Sequence, residues 1–465
     1  MNLDWDKYLN NKERRMIFGN EGEDPLTSGY ERNVAPPVGL TVYPVDTKEN
    51  MHMLMNEASD QSSGKKIAYI SIPFCQTRCD HCSNFNNYAD DDLMEAYCDA
   101  LIKEIKGSMS MPLILNGDVN AVYIGGGTPA ALSKRQIDRL LETVNAYIPM
   151  TNDCEFTLEA RTFEFSSEKI DICLENGINR FSLEVQSFDT RVRHAVGRID
   201  DGDIVAGKIE ELKKHNSTAV SIDLMYGLPY QSEADFISDI LQADRLGVDG
   251  VSFYNLKCVD EYFDRIKTEK PASVSDQSIY HIKGYRIMNN LGYHQPIVGH
   301  WSKGTRDRNL YKMLSKEGCV VHAFGAGAYG KTKGYHYRNH TDLDSYIKAA
   351  DAGVKPIDTM YQTVRNTELL NAVISHMSSG YLRFDQINKL AETDLMSLFE
   401  PLVSSWVQRG MAVLDSNVLK ITPVGQFWYI NMIKGLNKVL NLVENTEYFP
   451  EFSDDSAKPD TMNLL

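Results

Sequence analysis

From Lys66 onward, short apolar runs rich in β-branched and aromatic residues alternate with amphipathic stretches. Six of these runs are predicted strands: KIAYISI, VNAVYIG, EFTLEA, NRFSLEV, AVSIDLMYG and VDGVSFYNL. The stretches between them, such as SKRQIDRLLETVNAYI and DFISDILQADRLG, have the spacing of amphipathic helices. Strands that alternate with helices indicate parallel βαβ units. The pattern therefore predicts an α/β fold, a (β/α)6 barrel of the TIM type that closes fully or partly.

Outside the barrel the chain lacks this alternation of strands and helices, and five segments are predicted in all. Residues 1–63 are polar and irregular and are predicted to form an N-terminal arm. The barrel would occupy residues 64–300, followed by a linking segment rich in glycine and aromatic residues at 301–365. Helical patterns around a short β-hairpin at 366–448 indicate a small C-terminal domain of winged-helix type. Residues 449–465 form an acidic tail.

Composition and charge exclude several classes of protein. The chain has 465 residues, of which 42% are hydrophobic and 24% charged, as in ordinary globular proteins. Its formal charge of −16 argues against a general nucleic-acid binder, because such a protein needs a basic face. The first residues lack the apolar core of a signal peptide, and no apolar run approaches the roughly 20 residues of a bilayer span. We therefore expect a cytoplasmic protein, whose clustered cysteines are ligands or catalysts rather than disulfides.

Three cysteines follow the first predicted strand within eight residues, in the stretch YISIPFCQTRCDHCSNF. Cys75, Cys79 and Cys82 have C-x3-C-x2-C spacing, and soft thiolates suit zinc, Cu(I) or an iron–sulfur cluster. Structural zinc normally takes four ligands, which would require His81 as the fourth. Three thiolates around a 4Fe–4S cluster would instead leave one iron open to a small molecule, and we favour this alternative. The scattered cysteines are predicted to be small core residues: Cys98, Cys154, Cys173, Cys258 and Cys319.

Polar residues recur at the carboxyl ends of the predicted strands, where barrels of this type place their active sites. The motif GGGTP, Gly125 to Pro129, follows the second strand and leaves backbone N–H groups free for a ligand. Further along come Glu159, Gln186, Arg198 and Asp223. Any one of them could be a barrel-filling or ion-paired residue. Their convergence on one mouth indicates a polar, zwitterionic ligand.

Together with VQSF, VGR and IDLMYGLP, these motifs resemble the radical S-adenosylmethionine (SAM) enzymes of the coproporphyrinogen dehydrogenase, or HemN-like, group over nearly the whole chain. The resemblance implies a radical SAM barrel in which Cys75, Cys79 and Cys82 hold a 4Fe–4S cluster. It implies that the open iron takes the amino and carboxylate groups of a first SAM. The other residues that match SAM-binding or cluster-side positions are Tyr69, Gly126, Gly127, Thr128, Glu159, Gln186, Arg198 and Asp223.

The group is similar in binding two SAM molecules at once. By this resemblance, one electron from a flavodoxin or ferredoxin-type donor cleaves the first SAM to methionine and a 5′-deoxyadenosyl radical. In the class C methyltransferases, that radical takes hydrogen from the methyl group of the second SAM. The methylene radical adds to an sp2 carbon, and S-adenosylhomocysteine then leaves. The barrel would exclude water and align the reacting atoms.

The branch is indicated by GHWSKGTRDRNLYKML, AFGAGAYG and LKITPVGQFW, which most resemble the anaerobic haem-degrading methyltransferases. The menaquinone ring methyltransferases are another class C branch. The chain departs from the usual motif at Ser71, where the group has His, and at His81, where it has an aromatic residue such as Phe. Ser83 and Asn84 replace the extra cysteine of coproporphyrinogen dehydrogenases, which counts against that activity.

The substrate would be a small hydrophobic molecule or a tetrapyrrole. Haem would need basic residues and an axial ligand, with candidates Arg306, Arg308, Arg338, His300, His322, His336 and His340. A quinone would need an aromatic slot, with candidates Tyr254, Trp301, Tyr311, Phe324, Tyr329, Tyr335, Phe427 and Trp428. Because the acidic chain disfavours a dianion, the sequence slightly favours methylation of the menaquinone ring, which would require transient contact with the inner membrane face. A non-catalytic haem chaperone is the alternative from another class.

Overall fold

The computed structural model describes residues 64–82, 87–115, 117–256, 270–363 and 366–447. It also describes residues 40–47 and 460–462, and isolated N-terminal positions at 15, 18–20, 24, 29–30 and 54. Most of the predicted arm and acidic tail, together with Ser83, Asn84 and Cys258, lie outside the described residues.

Nineteen strands occur in the described part of the chain, and most of them join one mixed sheet. They are β1 (Leu40–Val45), β2 (Lys66–Ile72), β3 (Phe74–Cys75), β4 (Asn87–Tyr88), β5 (Val119–Gly126), β6 (Met150–Ala160), β7 (Arg180–Gln186), β8 (Ala219–Tyr226), β9 (Gly250–Asn255), β10 (His294–Ile297), β11 (His300–Ser302), β12 (Val320–Phe324), β13 (Tyr329–Lys331), β14 (Tyr335–Asn339), β15 (Ile357–Thr363), β16 (Tyr381–Arg383), β17 (Ala412–Asp415), β18 (Val418–Ile421) and β19 (Asp460–Met462).

The helices of the described residues cover these strands. They are α1 (Asp91–Ser108), α2 (Pro112–Leu115), α3 (Lys134–Tyr147), α4 (Ser167–Glu175), α5 (Thr190–Ala195), α6 (Gly202–His215), α7 (Glu233–Arg245), α8 (Val274–Asn290), α9 (Leu310–Glu317), α10 (Leu343–Asp351), α11 (Thr367–Ser378), α12 (Phe384–Ala391), α13 (Leu395–Gln408), α14 (Pro423–Phe427) and α15 (Tyr429–Glu447). Short 3-10 turns span Pro129–Ala131 and Thr162–Glu164.

The six predicted strands are confirmed as the parallel centre of the sheet, in the spatial order β9-β8-β7-β6-β5-β2. Every residue of β8 is buried, as expected for a parallel strand covered on both faces. The intervening helices begin at sequence-encoded caps. The Ser133 hydroxyl accepts from Gln136 N, and the Gln136 side chain accepts from Ser133 N, which completes a capping box on α3.

The segment that the sequence presents as a linker, residues 301–365, instead extends the same sheet. Strand β12 lies parallel to β2, with Ala323 opposite Tyr69, and β13, β14 and β15 continue antiparallel from it. Strand β1 of the predicted arm pairs with β15, and β19 of the predicted tail pairs with β1. On the opposite edge β11 pairs with β9, so the parallel strands form an open barrel.

The C-terminal region has the element order helix, strand, two helices and a two-stranded hairpin, which is the order of a winged helix. Strands β16, β18 and β17 form its small antiparallel sheet. Trp406 of α13 is fully buried in the core. No helix in the described part of the chain combines the length and apolar character that crossing a membrane requires.

The burial of three histidines predicts that the free energy of unfolding decreases in mild acid. Burial lowers the pKa of His281 to about 4 and those of His322 and His336 to about 3, below the ordinary 6.5. Below about pH 6.5 the unfolded chain therefore binds more protons than the folded chain. The free energy of unfolding is highest above this pH and decreases as the pH falls. Each histidine contributes up to about 1.4 kcal/mol per pH unit in this window.

We expect the Tm to be lower at pH 5.5 than at pH 7.5, and this difference to shrink in His336→Asn. Differential scanning fluorimetry measures the difference, and His294→Asn, at an exposed position, is the matched control. An unchanged pH difference in His336→Asn would show that this histidine is not held neutral by burial.

Candidate active site

The three cysteines of the predicted cluster lie in the loop that follows β2, which we call the cluster loop, residues 73–82. Cys75 ends the short strand β3 and Cys79 follows in the loop, both 7% exposed, whereas Cys82 is partly exposed. Cys82 N donates to Cys79 O at 3.2 Å, which turns the loop back on itself. The apolar residues of β2 thus place the cysteines at the carboxyl edge of the sheet, where the sequence predicts them.

The glycine motif after β5 holds one side of the cluster loop. Gly127 N donates to Ile72 O at 2.8 Å, and Thr128 N donates to Phe74 O at 2.7 Å. A Cβ on Gly127 would lie 2.6 Å from Phe74 O, and Gly126 has a φ of +120°. Thr128 Oγ1 lies 3.5 Å from Cys75 Sγ. The glycines are therefore needed for close approach of two backbones, beside any contact with a ligand.

Residues that follow β6 and α5 hold the other side of the loop. Arg161 donates to Thr77 O at 3.0 Å and to Thr77 Oγ1 at 2.9 Å. Asp80 N donates to Val196 O at 3.1 Å. A Cβ on Gly197, which has a φ of +77°, would lie 3.4 Å from Cys79 Cα. The VGR motif thus supports the cysteine loop directly.

The chemistry of this loop fits the 4Fe–4S cluster expected from the sequence. Burial raises the pKa of the Cys75 thiol to about 12, so a thiolate there needs positive charge nearby. Arg161 opposes this rise at Cys75. Burial disfavours the charge of Arg198, but the neighbouring Cys79 and Glu184 hold the pKa of Arg198 above its ordinary value. Among the described residues, no three His, Cys, Asp or Glu side chains are close enough together to hold a single metal ion.

Polar residues on β6, β7 and β8 lie close together beside this loop, although Asp223 stands inside β8 rather than at its end. Glu159 accepts from Gly126 N, and burial together with the carboxylates of Glu184 and Asp223 raises the pKa of Glu159 well above its ordinary range. Arg198 donates to Glu184 at 2.7 Å. Three carboxylates and one guanidinium therefore share the barrel mouth, an arrangement suited to a ligand that carries both charges.

Several buried polar atoms in this mouth have no hydrogen-bond partner among the described residues. Gln186 is 6% exposed and has a φ of 68°, and its Oε1 has no hydrogen bond within the described structure. The same holds for Oδ1 of Asp223, which is 8% exposed, and for Nε of Arg198. Buried polar atoms without partners are costly, so these atoms are the ones that a bound ligand would satisfy.

The structure also brings into the site three residues that sequence reasoning missed: Glu184, Tyr123 and Lys312. Glu184 lies two residues before Gln186 on β7, so the alternation of strand side chains could have found it. The predicted Tyr69 stacks on Tyr123 at 6.3 Å, and Tyr311 lies 4.9 Å from Tyr123 between ring centroids. Lys312 of α9 donates to the Tyr254 hydroxyl at 2.6 Å. Contacts with helix α9 could not be read from local sequence pattern.

The residues proposed for haem recognition are mostly occupied elsewhere. Arg306 donates to Asn216 Oδ1 at 2.6 Å, and Arg308 donates to Asp153 O at 2.6 Å. His300 is buried against Asp307 at 2.9 Å, and His340 lies 3.4 Å from Asp358. The remaining three are the buried His322 and His336 and the exposed Arg338.

The aromatic residues proposed for a quinone slot are largely core residues. Five of the eight are buried: Trp301, Phe324, Tyr335, Phe427 and Trp428. Tyr311 lies against Tyr123, with 4.9 Å between the ring centroids, and the Tyr254 hydroxyl accepts from Lys312. Tyr329 lies on β13 beside His336. The structure therefore does not assemble the predicted aromatic slot.

Of the two departures from the family motif, Ser71 and His81, the first has an ordinary packing role. Ser71 is 5% exposed, and its carbonyl accepts from the Tyr97 hydroxyl at 2.6 Å. His81 lies partly exposed within the cluster loop. Of the scattered cysteines, Cys98, Cys154 and Cys173 are buried and Cys319 is partly buried.

Comparisons with known proteins show which family the chain resembles in sequence and in fold. Residues 69–243 match the family described as the Radical SAM superfamily. The chain is 32% identical over 404 residues to an anaerobilin synthase of Escherichia coli O157:H7, covering 85% of this chain and 89% of that protein. It is 29% identical over 293 residues to the heme chaperone HemW of Bacillus subtilis strain 168, covering 61% of this chain and 75% of HemW.

It is also 24% identical over 388 residues to an oxygen-independent coproporphyrinogen III oxidase of Helicobacter pylori strain 26695, covering 78% and 84% of the two chains. Among solved structures, coproporphyrinogen III oxidase (HemN) from Escherichia coli superposes with a TM-score of 0.73 at 20% identity, over 85% of this chain and 96% of that one, which supports the fold. The chain therefore belongs to the HemN-like group of the radical SAM superfamily.

Proposed function

We propose that this radical SAM enzyme uses two SAM molecules to methylate an sp2 carbon of a tetrapyrrole, and that its substrate is haem, which the reaction opens. The observation that carries the proposal is that Glu159, Glu184, Arg198 and Asp223 lie together beside the cluster loop. Among the described residues, Arg198 Nε and Asp223 Oδ1 are buried without a hydrogen-bond partner. Two zwitterionic ligands need several charges of both signs, and this mouth supplies them.

Membership of the superfamily implies a 4Fe–4S cluster and SAM, and Cys75, Cys79 and Cys82 are the residues that would hold the cluster. When bound, these groups supply the carbon-centred radical chemistry, given an electron from a flavodoxin or ferredoxin-type donor. The protein's own part is to bind and orient. Arg198 and Asp223 offer opposite charges to an amino acid moiety, and the buried walls of β6 to β8 exclude water.

The choice of a tetrapyrrole over menaquinone rests on two supports. The relatives are named for a bilin, for haem and for coproporphyrinogen III, all of them tetrapyrroles or their products. In addition, the aromatic side chains that would form a quinone slot are mostly core residues. Methylation of the menaquinone ring, which the sequence alone slightly favours, therefore becomes the second candidate.

The test is an anaerobic assay of the cluster-reconstituted, reduced protein with SAM and either haem or menaquinone. We expect an opened, methylated tetrapyrrole from haem, detected by mass spectrometry, and no quinone heavier by one methyl group. Asp223→Asn should keep the cluster spectrum but form product about 10- to 100-fold more slowly, because it loses the charge that faces the ligand. Methylated quinone without loss of haem would overturn the tetrapyrrole assignment, and an inert wild type that binds haem would favour a chaperone.

A further inference from the structure

The turn at the carboxyl end of β7 holds Gln186 in a strained backbone conformation. Gln186 has a φ of 68°, and Ser187 N donates to Val185 O at 2.9 Å across it. A hydrogen bond over a single residue of positive φ marks the rarer, strained kind of γ-turn. Among the non-glycine residues with positive φ that the structure describes, Gln186 alone lies within a strand. Such strain persists only where neighbouring contacts fix it.

The side chain of Arg193, on α5, supplies contacts that fix this turn. Arg193 is 1% exposed, and its Nη1 donates to Val185 O at 2.5 Å and to Ser187 O at 3.0 Å. These are the carbonyls of the two residues that flank Gln186. A charged donor forms stronger hydrogen bonds than a neutral one, so the guanidinium offsets part of the strain at Gln186.

The remaining nitrogens of Arg193 fix the orientation of its guanidinium. Nε donates to Asp200 O at 2.7 Å, and Nη2 donates to the Asp200 carboxylate. The same carboxylate accepts from the hydroxyl of Thr162. Asp200 is also buried, at 7% exposure. Because all three nitrogens of Arg193 contact protein acceptors, this arginine acts on the protein rather than on a ligand.

Main-chain hydrogen bonds connect the end of α5 to the rest of the site. Arg193 O accepts from Arg198 N at 3.0 Å, and Val196 O accepts from Asp80 N of the cluster loop at 3.1 Å. The turn at Gln186, the backbone of Arg198 and the cluster loop are therefore held together by one short segment of chain, residues 193–198.

We propose that Arg193 is a positioning residue, which holds Gln186 in the conformation that binds SAM at the barrel mouth. The proposal rests on the proposed function in its use of SAM but not in its choice of substrate. Gln186 Oε1 is buried without a hydrogen-bond partner among the described residues, and an amide oxygen accepts from the ammonium group or the ribose hydroxyls of SAM. Without the guanidinium, Gln186 relaxes toward negative φ and its amide moves away from the ligand.

The experiment is a double-mutant cycle on the Kd for SAM, measured by anaerobic equilibrium dialysis of the cluster-containing protein without a reductant, so that SAM is bound but not cleaved. We expect Arg193→Met and Gln186→Ala each to weaken binding about 10-fold. The double variant Arg193→Met/Gln186→Ala should bind no more weakly than Gln186→Ala, because Arg193 acts through Gln186. Arg191→Met removes an exposed arginine of the same helix and, as the matched control, should keep the wild-type Kd.

A second measurement separates positioning from stability. Arg193→Met leaves the carboxylate of Asp200 buried without its partner, so it should lower the Tm in differential scanning fluorimetry. Arg193→Met/Asp200→Asn removes both charges and should recover most of the lost Tm, yet still bind SAM about 10-fold more weakly than the wild type. It also replaces Arg193→Met in the cycle if the single variant does not fold. Additive losses of affinity in the cycle, or wild-type affinity in Arg193→Met/Asp200→Asn, would overturn the positioning role.

The dialysis contains no tetrapyrrole, so a failure of the proposed substrate leaves its outcome unaffected. If the wild type binds no SAM, the assignment of SAM to this mouth falls, and the support of the turn is tested by Tm alone. Glycine adopts positive φ without strain, so the Tm lost on the change Arg193→Met should be smaller in a Gln186→Gly background. An equal loss in both backgrounds would mean that Arg193 does not support the turn.

Discussion

Replacing Cys75, Cys79 or Cys82 with alanine is expected to abolish cluster assembly and, with it, all cleavage of SAM. Each of the three thiols lies in the cluster loop, and a cubane that leaves one iron open for SAM needs all three protein ligands. Iron and sulfide content after anaerobic reconstitution, the visible absorbance of the cluster and the formation of 5′-deoxyadenosine measure the effect. We expect all three readouts to fall to background in each variant.

Cys173→Ala is the matched control for this experiment. Cys173 is fully buried on α4 and packs in the core, so its replacement removes one sulfur atom from a well-packed site. We expect a stability loss of about 1 kcal/mol, full cluster content and normal cleavage of SAM. A Cys79→Ala protein that retains the full iron content of the wild type would remove the basis for placing the cluster in this loop.

The barrel could be predicted from sequence because its strands are apolar and regularly spaced. The strand KIAYISI is buried at all but one position, so its pattern identifies it without knowledge of its neighbours. Strand β12 pairs with β2, about 250 residues earlier in the chain, and β13, β14 and β15 continue from it by antiparallel pairing. Because these strands depend on tertiary pairing rather than on local pattern, the sequence alone predicts a linker at residues 301–365.

The residues of the candidate site also fall into two groups, those that the sequence identifies and those that only the folded structure brings together. Glu159 and Gln186 stand at strand ends and Asp223 lies inside β8, positions that sequence identifies once the strands are known. Lys312 belongs to helix α9, whose contacts with the barrel are fixed by the fold of the whole chain. Tyr311 of the same helix is a candidate from the sequence, but its contact with Tyr123 is visible only in the structure. Sequence reasoning therefore locates the residues on the strands beside the cluster loop and misses Lys312.

Replacing Arg198 with methionine is expected to have the second-largest effect, about a 100-fold or greater loss of SAM cleavage. Arg198 is 3% exposed and is paired with Glu184 at 2.7 Å. The Arg198→Met substitution removes the positive charge that pairs with Glu184. The neighbouring carboxylates of Glu184 and Glu159 then repel each other with less compensation. Breaking a buried pair from one side costs about 3 kcal/mol, which also predicts a lower Tm. Initial rates of 5′-deoxyadenosine formation and differential scanning fluorimetry measure the two effects.

Two further variants separate the structural role of Arg198 from a role in binding SAM. Arg191→Met removes an exposed arginine on α5 and should leave both readouts unchanged. The double variant Arg198→Met/Glu184→Gln removes both charges of the pair, so it should recover most of the lost Tm. If Arg198 also contacts SAM, cleavage stays low and the KM for SAM stays raised in the double variant. Recovery of cleavage together with Tm would mean that Arg198 acts only by neutralising Glu184.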